Sequence, residues 1–402
     1  MESSEGALLR PAKLAIIMRL GNPMSFNNIA AGKMRGLLVS AIILTAHLAF
    51  NFTAHAQQTS GGSWKFSVSG DSRNCGDITM PAIAAGVRSD GAEFYWHLGD
   101  FRALSNFDED YVRTHPKASI ARYFKDAWPD FIQHQLVPFG DLPVYLGIGN
   151  HELEGPMTRG QYIAQFADWL NQPMLQRQRL SDDPSNHLLT TYYHWVQRGV
   201  DFINMDNASD DMFDSAQMKW FAKVLANDTK DSSIRTVVVG MHAALPDSSS
   251  AGHSMNDSAQ ELATGRKVYA QLSAFRNTAK KNVYVLASHS HFVMNDAYNT
   301  ACHKGDVLPG WIMGSAGAVR YRLPADRALS TIDKTDIYAY LLGTVAPDGS
   351  ITFQVREINQ SNVPASVVKE FSDEQVKWCF EQNKSDYKPA NPVCNTSSVD
   401  SE

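Results

Sequence analysis

Apolar runs of about four to eight residues, rich in Val, Ile, Tyr and Phe, recur along the chain and close on Gly, Asp or Asn. Runs of this length with such borders read as β-strands buried on one or both faces. They fall at 65–69, 92–98, 144–148, 200–205, 235–239, 282–287, 311–313, 338–345 and 351–358. Longer stretches between them predict helices over 108–135, 160–179, 215–226, 259–278 and 364–380. Pro364 would stand in the first turn of the last helix, where a missing N–H is no loss. Pro347-Asp348-Gly349-Ser350, between the final two strands, is a hairpin signal. The segment 191–199 reads as a hairpin edge ahead of strand 200–205, which makes His194 and Trp195 structural. Alternating strands and helices without an internal repeat indicate an α/β layered fold in one large domain over 65–382. Residues 57–64 read as a Gly/Ser linker, and 383–402 as a poorly ordered tail rich in Asn, Ser and Asp.

The first 56 residues break this pattern. Residues 36–50 are a continuous apolar run preceded by Lys33 and Arg35 and followed by Ala54-His55-Ala56. A basic start, an apolar centre and small residues at an A-x-A site describe a signal peptide cleaved before Gln57, with Met34 as an internal start. A membrane anchor is the other reading, but the run falls short of the roughly 20 residues that span a bilayer. Export to the periplasm or the exterior follows from cleavage.

Composition is that of an ordinary globular protein, 44% apolar and 19% charged, which excludes a disordered or collagen-like chain. Lys and Arg number 36 against 42 Asp and Glu, a formal charge of −6. Residues 1–56 hold five basic and two acidic side chains, so the remainder carries 31 against 40, or −9. No nucleic-acid partner is expected of so acidic a chain, because phosphate backbones need Lys/Arg-rich grooves.

Five strands end in side chains that bind metals. Gly70-Asp71 closes the first, Gly99-Asp100 the second and Gly149-Asn150-His151-Glu152 the third. Met241-His242 closes another, and Ser288-His289-Ser290-His291 a fifth. Carboxyl ends of strands in an α/β sheet meet at one crevice. Each piece alone has an ordinary structural explanation as a turn, cap or packed histidine. All five in order, each after an apolar run, point to a mixed O/N site suited to Mn, Fe or Zn.

This series, GD…GD…GNHE…H…HxH, resembles the calcineurin-like metallophosphoesterase superfamily and covers Ser67 to about Tyr321. The resemblance implies a sandwich of two mixed β-sheets flanked by α-helices, with a dinuclear metal site at the strand ends. It implies that Asp100 bridges two metal ions, with Asp71 and His291 on the first and Asn150, His242 and His289 on the second. It further implies a metal-dependent phosphoric ester hydrolase in which a metal-bridging hydroxide attacks phosphorus. His151 would be the general acid at the leaving group, with Glu152 as its partner. A non-catalytic binding protein of the same fold and a nuclease are the alternative readings.

The sequence departs from the family pattern in several places. Where many members have D-x-H, this chain has Asp71-Ser72-Arg73, and a guanidinium cannot ligate a cation. The first metal is therefore expected to bind more weakly, and Arg73 either holds the substrate phosphate or pairs with an acid such as Asp77. Ala103 stands where purple acid phosphatases carry a tyrosine ligand, which sets that subfamily aside. Ser288 replaces the usual glycine of the last motif. His97 is expected to be packed, Phe101 and Arg102 to line the mouth, and His253 to lie on a substrate loop. Segment 108–135 could cap the cleft. Cysteines 75, 302, 379 and 394 allow three pairings; 75–302 with 379–394 is favoured, since the first would tie two motif loops together.

Overall fold

The structure is a computed structural model and describes residues 62–209, 212–324 and 330–390. The apolar run 36–50 and its cleavage site lie outside these residues, as does Cys394. No described helix is long and apolar enough to cross a membrane.

The strands in chain order are β1 (Trp64–Ser69), β2 (Tyr95–His97), β3 (Val144–Leu146), β4 (Tyr193–Gln197), β5 (Val200–Asn204) and β6 (Thr236–Gly240). They continue as β7 (Asn282–Ala287), β8 (Val293–Asn295), β9 (Gly310–Met313), β10 (Tyr338–Val345) and β11 (Ile351–Ile358). Two mixed sheets result, ordered β11-β10-β1-β2-β3 and β4-β5-β6-β7-β9-β8. The expected two-sheet α/β architecture is thus observed. Within each sheet a parallel block carries the motifs: β1, β2 and β3 in one, and β5, β6, β7 and β9 in the other. Parallel strands bring their carboxyl ends to one edge, so both sheets present their motif loops together.

The sheets pack face to face through side chains of alternating strand positions. Phe66 and Val68 of β1, Trp96 of β2, Phe202 of β5 and Val238 of β6 form one buried cluster with Trp195 and Tyr145. Its rings are in direct contact: Tyr145 stacks on Trp195 at 4.0 Å, and Trp195 on Phe202 at 5.1 Å. The opposite faces are covered by helices. In β6, Val237 and Val239 point away from Val238 into a cluster with Phe221 of helix Ser215–Lys230 and Leu272 of helix Ala259–Ala279. Burial of both faces explains why this strand reads as unbroken valine.

Several elements differ from expectation. A helix at Gly76–Ser89 follows the first motif. Segment 108–135 is divided into helices Glu109–Thr114 and Ile120–Phe131 and one wide turn, Ile132–Leu136. The domain also runs past 382. Asn383 is buried, and its amide donates to Gly317 and to the Tyr338 hydroxyl, so a tail beginning at 383 starts too early. Cys75 is bonded to Cys379, with Cα atoms 6.0 Å apart, in place of the expected 75–302 pairing. Helix Asp373–Glu381 carries Cys379 back against the start of helix Gly76–Ser89, a proximity set by tertiary packing. Cys302 is disulfide-bonded as well.

His194 is structural, as expected, and it is charged. Nδ1 lies 2.8 Å from Asp201 and Nε2 2.7 Å from Asp182, in a buried position on β4. Burial opposes the charge, but Asp201 and Asp182 outweigh it and push the imidazole up to about 10. A folded value above the unfolded one, about 6.5, gives stability that is complete below that pH and lost as pH rises through about 10. Denaturant midpoints of the wild type should therefore fall from neutral to alkaline pH more steeply than those of His194→Gln. Parallel profiles for the two proteins would contradict the charged assignment.

Candidate metal centre

Each motif residue sits where its strand stops. Asp71, Asp100 and His289 adopt left-handed backbone, at φ of 61°, 59° and 63°. Such a conformation costs an L-residue on the order of 1 kcal/mol or more and persists only where neighbours enforce it. Those neighbours are present: Asp71 N–H donates to Gly99 O, Ser72 N–H to Asp100 O, and His289 N–H to the Asp71 carboxylate at 2.8 Å. The last bond joins the two sheets at the site. Gly149 packs so closely on Asp100 that a Cβ there would lie 2.3 Å from Oδ1, which makes its lack of a side chain a requirement.

Asp71, Asp100, His242 and His289 bring ligand atoms within 4.8 Å of one another. Asn150 joins them, its Oδ1 3.0 Å from His242 Nε2. The tautomers follow from the outer contacts. His242 Nδ1 faces the Leu98 carbonyl at 3.0 Å and the Ser288 hydroxyl at 3.1 Å, so its Nε2 turns a lone pair inward. His289 Nδ1 approaches that same Nε2 at 2.9 Å, and Asp100 Oδ1 stands 3.3 Å from it. Acceptors crowd here without matching donors. Two carboxylate oxygens, Asp71 Oδ1 and Asp100 Oδ2, are buried and make no hydrogen bond among the described residues. Unpaired buried carboxylate oxygens are costly unless a cation sits among them. The donor set fits one.

Electrostatics agree with this. Burial alone would raise Asp100, but His242, His151 and Arg73 hold it well below the ordinary carboxyl range. Burial likewise opposes Asp71, whose carboxyl is kept low by His291 and His242. Burial and the neighbouring His242 depress His289, and burial with Arg73 lowers His291 to about 4. Anionic carboxylates at Asp71 and Asp100 and a neutral imidazole at His289 are protonation states that metal ligation needs.

The first position of the expected pair is different. His291 Nδ1 faces the Val319 carbonyl at 2.7 Å, leaving Nε2 with the lone pair, 3.3 Å from Asp71 Oδ1. That lone pair accepts from Arg73 Nη2 at 3.1 Å. Arg73 Nη1 approaches His151 Nε2 at 2.5 Å, and its Nε lies 3.9 Å from Asp100 Oδ2. The alternative pairing with Asp77 is overturned, because Asp77 is held by the buried Arg102 at 2.6 Å.

His151 is nearly buried beside this group, and its Nδ1–H donates to the Ala103 carbonyl. Glu152 is not its partner, contrary to expectation. The Glu152 carboxylate accepts from the backbone N–H groups of Gly149, Asp100 and Phe101 at 2.7–2.8 Å and so fastens the second motif loop to the third. Burial and the adjacent Asp100 carboxylate push Glu152 up to about 8 despite those three bonds.

Phe101 and Arg102 do not line the mouth; both are fully buried. Phe101 stacks on Phe131 at 4.2 Å, and Arg102 sits among Asp77, Asp110 and Asp130. The acids that draw Arg102 inward are spread over 77–130, and no local pattern announces them. His97 is packed, as expected: its Nε2 contacts the Ser72 hydroxyl at 2.9 Å, and burial lowers it to about 3. His253 does reach the site, its ring 4.8 Å from that of His289. Two aromatic residues that the sequence did not single out complete the rim. Tyr321 stacks on His291 at 4.1 Å, and Tyr387 lies 4.9 Å from Tyr321 and 5.0 Å from His253. Tyr387 comes from the stretch read as a tail, which hid it.

No protein-family model and no curated protein matches the chain. Among solved structures it is similar to a dimetal phosphatase from Danio rerio, at 12% identity over 73% of this chain and 96% of that one, with a TM-score of 0.45. It is also similar to GAP50, the anchor in the inner membrane complex of Plasmodium, at 12% identity over 81% and 98%, with a TM-score of 0.43. PhoD is similar at 14% identity over 79% and 77%, with a TM-score of 0.44.

Proposed function

We propose that this chain is an exported, metal-dependent phosphoesterase acting on small organic phosphate mono- or diesters. The observation that carries the reading is the convergence of Asp71, Asp100, Asn150, His242 and His289 from five strand ends, with two buried carboxylate oxygens left without a hydrogen bond. A cation held by these residues would supply Lewis acidity, polarising a phosphoryl oxygen and making water nucleophilic near neutral pH.

The chain's own residues supply the rest. Arg73 presents a positive fork at the partly exposed side of the site, suited to two oxygens of a phosphate once these draw it from the ring nitrogens. His151 serves as general acid to the leaving alkoxide. Its Nδ1–H is committed to Ala103, so Nε2 is the working nitrogen, and that atom accepts from Arg73. For Nε2 to carry a proton, the Arg73 N–H must turn aside, and an arriving phosphate gives it a better acceptor. Substrate binding and arming of the acid are thereby linked.

His151→Ala should lower kcat on alkyl phosphates by about 10²–10⁴-fold. It should leave metal content intact and affect nitrophenyl phosphates far less, since nitrophenolate departs without a proton. Unchanged turnover of alkyl phosphates would remove His151 from the acid role. The reading as a whole is tested by metal content, followed by turnover of nitrophenyl and bis-nitrophenyl phosphate with Mn, Zn, Fe, Co and Mg. A second reading, a binding protein without turnover, is favoured by Arg73 standing in the position of a ligand. Metal bound without hydrolysis of any substrate in the panel would select it.

A further inference from the structure

We infer that the centre holds a single divalent cation, and that the Arg73 guanidinium occupies the place of a second as a built-in positive charge. This rests on the metal-dependent reading above and changes its stoichiometry. The ligand atoms that come together are those of Asp71, Asp100, His242 and His289, with Asn150 beside them; His291 is not in that group. Its one inward lone pair is spent on Arg73 Nη2 at 3.1 Å, because Nδ1 is already directed at Val319 O. His151 Nε2 receives the other terminal nitrogen at 2.5 Å. Asp100, the carboxylate expected to serve both ions, has its Oδ2 3.9 Å from Arg73 Nε.

Two groups that a second cation would call upon, His291 and Asp100, thus face one guanidinium, whose side chain is only 15% exposed. Guanidinium has donors and no lone pair, and it stays protonated. It satisfies the ring nitrogens of His151 and His291, yet it repels any cation placed among them. Held by ring nitrogens on two sides, it also cannot swing far while the substrate is absent. Asp71 accordingly passes from a ligand of a first ion to a ligand of the only one. Its Oδ2 is fixed by the His289 N–H, and its Oδ1 remains without a hydrogen bond.

The test is a metal count on full-length protein loaded with excess Mn and then desalted, read by plasma mass spectrometry together with the Mn electron paramagnetic resonance spectrum. Wild type should hold one Mn per chain and give the six-line signal of an isolated ion. Arg73→His replaces the guanidinium with a neutral ligand and should raise the count to two, with an exchange-broadened spectrum. Arg73→Lys keeps a positive charge and should stay at one. Two Mn per chain in the wild type would overturn the inference while leaving the metal-dependent reading standing. A folded Arg73→His protein that stays at one would also overturn it. No bound Mn in the wild type, with Zn and Fe equally absent, would instead overturn the metal-dependent reading itself.

Discussion

Asp100→Asn should reduce phosphoester turnover by at least about a thousandfold and strip the protein of metal. Asparagine has nearly the same shape, so the loss isolates charge from packing. Asp100 is fully buried, with Oδ1 accepting from His151 N–H at 3.1 Å and facing His242, and with Oδ2 lacking a hydrogen bond. In a low-dielectric site the negative charge dominates cation affinity. His242, His151 and Arg73 favour the ionised carboxylate in the folded state, so metal-free Asp100→Asn should melt below metal-free wild type. Metal content by mass spectrometry, kcat/KM and the melting profile together check this. Retained metal and retained turnover would place Asp100 outside the centre.

The second large effect concerns stability. Replacing both Cys75 and Cys379 by Ser is expected to cost about 2–5 kcal/mol, because their bond closes a loop across a sequence separation of 304 residues. Cys75 also precedes the helix Gly76–Ser89, and its N–H donates to Arg73 O and Gly317 O. Loosening that turn should therefore weaken metal binding in the same variant. Denaturant unfolding of the double variant under oxidising conditions isolates this bond from the one at Cys302. Equal midpoints for variant and wild type would refute the assignment.

The candidate centre was largely legible because its parts are local. A strand ending in Gly-Asp or Gly-Asn-His is written in consecutive residues, and parallel strands bring such ends together without further instruction. The features that escaped are those decided at a distance. Helix Gly76–Ser89 has ten buried residues among its fourteen and carries Pro81, so neither an amphipathic period nor an uninterrupted pattern marks it. Strand β8 has three residues, too few to show alternation. The cysteine pairing depends on helix Asp373–Glu381 returning to the first motif. The resemblance implied Glu152 as the companion of its neighbour His151, whereas its carboxylate reaches the backbone of another loop. Arg73 was visible as a departure from D-x-H, but its triple engagement with His151, His291 and Asp100 required the two sheets to be in place.

The Cys75–Cys379 bond has one more consequence, which concerns the chain as a covalent object. Together with the backbone it makes a ring of nearly the whole described domain, with the site's ligands from Asp100 to His289 strung along its circumference. A protease that cuts any one loop between those cysteines opens the ring without producing a second molecule. A nicked chain therefore keeps both sheets attached to each other, and with them the two halves of its centre.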